Sequence, residues 1–167
     1  MSFFPVPAPV PAVMLPGQNR VLLDHYAYSW RDRGYYHKMM LPPAFVWDQA
    51  SIPRPFWLRL APSDLHPAAG LLHDWPYRWA GEMPGYVVCA VDDAEAGWRR
   101  PENPMSRVTA DRLFRGILES TDVAWRYRNA GYGLIRVFGG GHFRRAADPM
   151  DKDGVLDRYP EIRMLLP

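Results

Sequence analysis

Prolines set the limits on what this chain can fold into. They stand at positions 5, 7, 9 and 11 of an apolar opening stretch, at 42 and 43, and at 53 and 55. A proline ring removes the helical N–H and clashes with the preceding turn, so none of these stretches can be the interior of a long helix. The opening stretch from Phe3 to Val13 is therefore expected to be an extended, polyproline-like arm, and neither a membrane span nor a secretion signal. We read residues 1–17 as this arm, closed by the turn signal Pro16-Gly17, residues 18–140 as one globular domain, and residues 141–167 as an irregular tail. An apolar arm needs a surface to lie on, supplied by its own domain, by a second copy of the chain or by another protein.

At 167 residues and 48% hydrophobic, the chain is long enough for one domain with a real core. A net charge of +2, with arginines scattered among acids and aromatics, argues against a nucleic-acid partner. The single cysteine, Cys89, excludes an intramolecular disulfide and a Cys-based zinc site, and is expected to be a small buried apolar residue. The absence of any apolar run of about 20 residues argues against a transmembrane helix.

Val21 to Trp30 and Tyr35 to Leu41 are rich in β-formers and flank the turn Arg31-Asp32-Arg33-Gly34, which reads as a β-hairpin. Ala44 to Trp47 is a short strand, Arg54 to Leu58 a short turn or helix, and Asp92 to Met105 a surface loop. A helix is expected from residue 67 to about 79, with Pro67 in the first helical position, where its missing N–H costs nothing. A second begins near Ser106, a good N-cap, and carries Ala110, Leu113, Phe114, Ile117 and Leu118 on one face. A third runs from Asp122 to Asn129, capped by Thr121 and stopped by Gly131, while Leu134 to Phe138 fits helix or strand. The expected architecture is α+β, an N-terminal β-hairpin region packed on two or three helices, with the extended proline-rich arm.

The segment Leu71 to Arg78 sets an ionisable pair into an apolar run. His73 shares an inward helical face with Leu65, Ala69 and Leu72, whereas Asp74 is rotated by about 100° from it. His73 is either a general base or a core histidine satisfied by Asp111; Asp74 is either a helix-surface carboxylate or a metal ligand. Asp48 either caps the Ser51 and Ile52 amides or joins the site. Arg107, one turn before Asp111, is expected to be the structural partner of a buried acid. His66 lies about 10.5 Å along the helix from His73, too far to share an ion. Asp151-x-Asp153-Gly154 reads as a turn, because Pro149 and Pro160 fill positions that a calcium loop needs for ligands. Gly139-Gly140-Gly141 lacks the Gly-Lys-Ser/Thr ending of a phosphate loop.

The pattern His73-Asp74-x-x-Tyr77 resembles the motif of secreted-type calcium-dependent phospholipases, with Asp111 on the next helix standing for the carboxylate that orients the histidine. That resemblance implies His73, Asp111 and Tyr77 as catalytic residues and a calcium ion on Asp74, with Asp48 as a further candidate ligand. The glycine-rich calcium loop and the disulfides of those enzymes are absent, and Pro76 falls inside the motif.

Three blocks, Pro43-Ala44-Phe45-x-x-Asp48-x-Ala50-Ser51-Ile52-Pro53, Leu72-His73-Asp74-x-x-Tyr77-Arg78 and Ser106-Arg107-x-x-Ala110-Asp111-x-x-Phe114, are similar to a small domain family of unknown function common in tailed bacteriophages and prophages. The similarity covers most of residues 20–140. It implies a virion-associated structural or assembly component of the tail or head-tail region, located in the virion or, before assembly, in the host cytoplasm. The arm would then join other virion proteins or a second copy of the chain. The alternative is a phospholipase-like or cell-wall hydrolase with His73 as general base. The apolar arm and the missing calcium loop favour the first reading.

Overall fold

A computed structural model describes residues 2–48, 64–93, 97–151 and 154–167. The expected turn or helix at 54–58 and the proposed Asp48 cap on Ser51 and Ile52 lie outside those residues. The fold is α+β, with strands first and helices after them.

Two three-stranded antiparallel sheets are formed. One has the order β1 (Ala12–Met14), β2 (Asn19–Leu22), β5 (Val46–Asp48); the other has β3 (Tyr26–Asp32), β4 (Tyr35–Leu41), β6 (Tyr86–Ala90). The hairpin is β3–β4, pairing Tyr26 with Leu41 through to Asp32 with Tyr35. Its turn uses Arg33 and Gly34, both at positive φ. The single strand expected over 21–30 is in fact two strands in different sheets. The chain breaks at Leu23-Asp24-His25, where the Leu23 N–H donates to the Pro11 carbonyl and the His25 N–H donates to the Asp24 carboxylate. No proline or glycine marks that break.

The period-two alternation of strands decides what each sheet buries. In β3, Tyr26, Tyr28, Trp30 and Asp32 point inward and Ala27 and Ser29 outward. Trp30 stacks on its cross-strand partner His37 at 4.9 Å, and the stack continues to Tyr86. In the other sheet, Leu22 and Trp47 enter the main core, while their chain neighbours Val21 and Val46 face a second, smaller core with Leu15, Val155 and Ile162. The segment after 139 therefore holds ordered structure: a 3-10 turn at Gly139–His142, α4 (Val155–Arg158) and a 3-10 stretch at Pro160–Leu165.

The described part of the arm lies on its own domain. Phe3 forms a bridge with Arg31 at the edge of β3, and the Tyr28 and Tyr26 hydroxyls donate to the Pro5 and Ala8 carbonyls. Prolines have no N–H to offer, so the arm is held largely through its carbonyls. Phe4 packs against Gly116, where any Cβ would collide with its ring. Phe3 stays 64% exposed. The arm ends as strand β1, paired with β2.

Three longer helices follow: α1 (Pro67–Arg78), α2 (Arg107–Ser120) and α3 (Trp125–Phe138). Pro67 opens α1, and His66 caps it by accepting the Ala68 N–H on Nδ1 at 3.2 Å. Ser106 caps α2 through the Thr109 N–H. Gly131 does not stop α3. It is buried inside the helix at the seam with Leu65 and Phe114, and 134–138 is helical. Cys89 is free and only half-buried, on the strand β6 that sequence reasoning passed over. Among the described residues, no helix is long and apolar enough to cross a membrane.

Candidate functional site

Helices α1 and α2 pack along each other, and α3 closes against α2. Their meeting point is polar. Asp111 of α2, on the same inward face as Ala110 and Phe114, is fully buried. A carboxylate removed from water must be paired and hydrogen-bonded to persist in the charged form. Both oxygens are engaged: Oδ1 accepts from the Tyr77 hydroxyl at 2.5 Å and faces His73 Nε2 at 3.2 Å, while Oδ2 accepts from Arg136 Nη1 at 2.8 Å. Arg107 approaches Oδ2 at 3.6 Å and donates its Nη2 to the Arg136 carbonyl, tying the start of α2 to the last turn of α3.

His73 is 5% exposed, with its ring 4.0 Å from Tyr77 and 5.2 Å from Phe114. Its second nitrogen, Nδ1, faces Asp74 Oδ1 at 3.6 Å. Asp74 is itself 7% exposed, which corrects the reading of it as a helix-surface carboxylate. The reason is that α1 is covered all round, with every residue from Ala68 to Tyr77 buried.

These contacts set the charges. Burial alone would depress the His73 imidazole, but hydrogen bonds to Asp111 and Asp74 and the charges of both acids hold it above its ordinary 6.5. Burial pushes the Asp111 carboxyl up, and hydrogen bonds from His73, Tyr77 and Arg136 more than reverse this, leaving it below its ordinary 3.8. Burial, and then the hydrogen bond to the Asp111 anion, drive the Tyr77 phenol far above its usual range.

A stability profile follows from these directions by proton linkage. The His73 contribution is complete below 6.5 and is lost as pH rises through the raised folded value. That of Asp111 is complete above 3.8 and is lost as pH falls through the depressed folded value. Urea unfolding of wild type and His73→Gln should therefore differ most between about pH 4 and pH 6.5 and converge in the alkaline range. A difference independent of pH would show that His73 is not held as an imidazolium.

Beside this cluster lies a cleft of about 720 Å³ at the C-terminal end of α1, lined by Asp74, Tyr77, Arg78, Arg144, Arg145 and Asp151 among others. Asp74 and Tyr77 thus connect the buried pair to the cleft, while His73 and Asp111 stay behind them. The glycine run finds its use here. A Cβ on Gly139 would stand 2.8 Å from the Tyr77 hydroxyl, and one on Gly140 would stand 2.6 Å from an Arg107 nitrogen, so glycine lets the chain pass close to both.

The calcium site implied by the phospholipase resemblance does not fit these residues. Calcium takes about 6–8 oxygen ligands. Among the described residues, no group of three or more His, Cys, Asp or Glu is arranged to hold a metal ion. The Asp111 oxygens are committed to His73, Tyr77 and Arg136, and Asp48 ends strand β5, half-buried.

Of the residues singled out from sequence, His73, Asp111, Tyr77, Asp74 and Arg107 come together. Arg136 was missed. Its signal was present in Gly-Leu-Ile-Arg-Val-Phe, a lone cation in an apolar run, but its direction was hidden while that run fitted strand or helix. A second polar group was also missed: Asp32 accepts from Arg112 at 2.7 Å and from the Ser2 hydroxyl, and His37 meets the Tyr86 hydroxyl at 2.8 Å. Burial depresses the His37 imidazole, with the nearby Asp32 carbonyl and carboxylate opposing the shift and Arg112 adding to it.

No curated protein and no solved structure matches the chain. A family described as protein of unknown function, DUF1353, matches residues 21–135, a stretch that contains all three blocks, both members of the buried pair and the whole of β2 to β6 apart from the first residues of β2. With well over half of its length matched, the chain belongs to that DUF1353 family.

Proposed function

We propose that the chain is a structural or assembly component of a phage or prophage virion, and that the cluster around Asp111 locks three helices together instead of activating water. The observation that supports this reading is the placement of the buried His73 ring between two acids. Its Nε2 faces Asp111 and its Nδ1 faces Asp74, and the two acids favour the imidazolium. An imidazolium has two N–H donors and no lone pair with which to take a proton. The phage part of the proposal rests on the similarity of the three sequence blocks.

One observation favours the hydrolase alternative: Asp74 and Tyr77 reach a cleft of ligand size. The variant His73→Gln separates the two. In the structural reading it removes a partner from a buried carboxylate, which costs about 1–3 kcal/mol. At roughly 2–4 °C per kcal/mol for a domain of this size, the melting temperature should fall by several degrees. Wild-type protein should cleave no phospholipid or peptidoglycan substrate, with or without added calcium. Turnover by wild type that disappears in a variant of unchanged melting temperature would establish the hydrolase. Mass spectrometry of purified particles from an induced lysogen should find the chain, and its absence from them would sink the virion assignment.

A further inference from the structure

We propose that the cleft at the C-terminal end of α1 binds a small molecule bearing a phosphate group, with Arg78 as the main receptor and Arg144 and Arg145 at its rim. This goes beyond the preceding reading and does not depend on whether the chain is a virion component.

Arg78 carries the inference. Its two terminal nitrogens are both buried, and neither has a hydrogen-bond partner among the described residues. The guanidinium lies over the Phe45 ring at 5.3 Å. A cation withdrawn from water without acceptors is costly, and buried polar groups left unpaired in a native fold point to a partner that is yet to arrive. With no described residue hydrogen-bonded to its Nη1 or Nη2, the Arg78 fork can turn from the Phe45 face toward the cleft, whose lining includes Arg78. The planar fork matches two oxygens of a phosphate.

The rest of the cleft agrees. Its volume of about 720 Å³ is that of a small-molecule site. Arg144 and Arg145 are exposed on its wall, and Arg145 is steadied over the Trp79 ring at 5.3 Å. The acids lining the same cleft are committed elsewhere. Asp151 accepts the Val155 and Leu156 amides, Asp148 accepts the Met150 and Asp151 amides, and Asp74 faces His73. Those bonds occupy the acids' oxygens and leave the guanidinium N–H groups as the donors for a ligand; their planar forks suit the several oxygens of a phosphate better than a single carboxylate.

Calorimetric titration of the full chain at low ionic strength tests this, with inorganic phosphate, glucose 6-phosphate and acetate as probes. Both phosphate compounds should bind saturably and acetate should bind much more weakly. Arg78→Met should weaken phosphate binding by about tenfold or more, as expected for loss of a charge-assisted pair. The melting temperature of unliganded Arg78→Met should be unchanged or higher, since an unpaired buried charge has gone. Arg144→Gln, an exposed change that leaves the fold alone, should weaken the same binding by a smaller factor. The proposal is overturned if wild type binds neither phosphate compound, if acetate binds as well as they do, or if Arg78→Met binds phosphate like wild type. A several-degree loss of stability in unliganded Arg78→Met would also overturn it, by making Arg78 a structural residue.

Discussion

Asp111→Ala should be the most damaging single change in the helical half of the protein, lowering stability by about 3–5 kcal/mol, the range for breaking a buried charged network from one side. The carboxylate is the only acceptor described for the Tyr77 hydroxyl and for the Arg136 guanidinium, and it is the closer of the two acids at His73. Its removal strands two buried donors at once, on His73 and Tyr77, whereas Arg136, 37% exposed, can turn to solvent. At roughly 2–4 °C per kcal/mol, the melting temperature should drop by on the order of 10 °C. Thermal unfolding followed by circular dichroism would measure this. Because the same residue anchors α1 and α3 to α2, the near-ultraviolet signal of the surrounding aromatics should weaken even where the helices persist. A loss below about 1 kcal/mol, the level of an ordinary exposed ion pair, would mean that the network is ornamental.

A loss of about 3 kcal/mol or more is expected for Gly81→Ala, from two independent sources: left-handed backbone in a non-glycine residue and steric overlap. Gly81 has φ +83, and a Cβ there would overlap the Met105 carbonyl oxygen and crowd the Met105 nitrogen at 2.9 Å. Backbone on the receiving side cannot swing away as a side chain would. The same glycine terminates α1, donating its N–H to the Pro76 carbonyl at 2.8 Å, and accepts from the Met105 N–H at 3.0 Å just before α2 begins. The substitution therefore pushes apart the end of one helix and the entry to the next. Chemical denaturation would read the loss, and Gly34→Ala, at φ +81 with nothing near its Cβ, gives the backbone cost alone. Equal losses at the two sites would remove the claim of a close approach.

Much of the helical layer was legible because its ends carry local chemistry. Pro67 and Ser106 mark first turns by what a proline lacks and what a serine hydroxyl accepts, and both helices start there. The His73–Asp111 pair was legible for a related reason: each interrupts an apolar helical face, and a buried polar group needs a partner. Local rules failed where packing decided. The third helix runs through Gly131 because a buried seam beside Leu65 and Phe114 favours a missing side chain over local propensity. Asp74 was misplaced because a helical wheel assumes one wet face, and α1 has none. The division of residues 19–32 between two sheets has no proline or glycine to announce it, only Asp24. It follows instead from which partners, Ala12–Met14 or Tyr35–Leu41, each half finds.

The second core has a consequence for how the protein is made. Val21 and Val46 are covered by Val155 and Ile162, apolar residues translated more than a hundred positions after them. Val46 even gives its N–H to the Met150 carbonyl, so this one amide of β5 also lacks its acceptor until then. A nascent chain with β1, β2 and β5 already outside the ribosome therefore displays an uncovered apolar sheet face until residues 155–162 follow. Ribosomes stalled before residue 155 should carry a chain that recruits chaperones and is readily cut by protease, and emergence of residues 155–162 should end both.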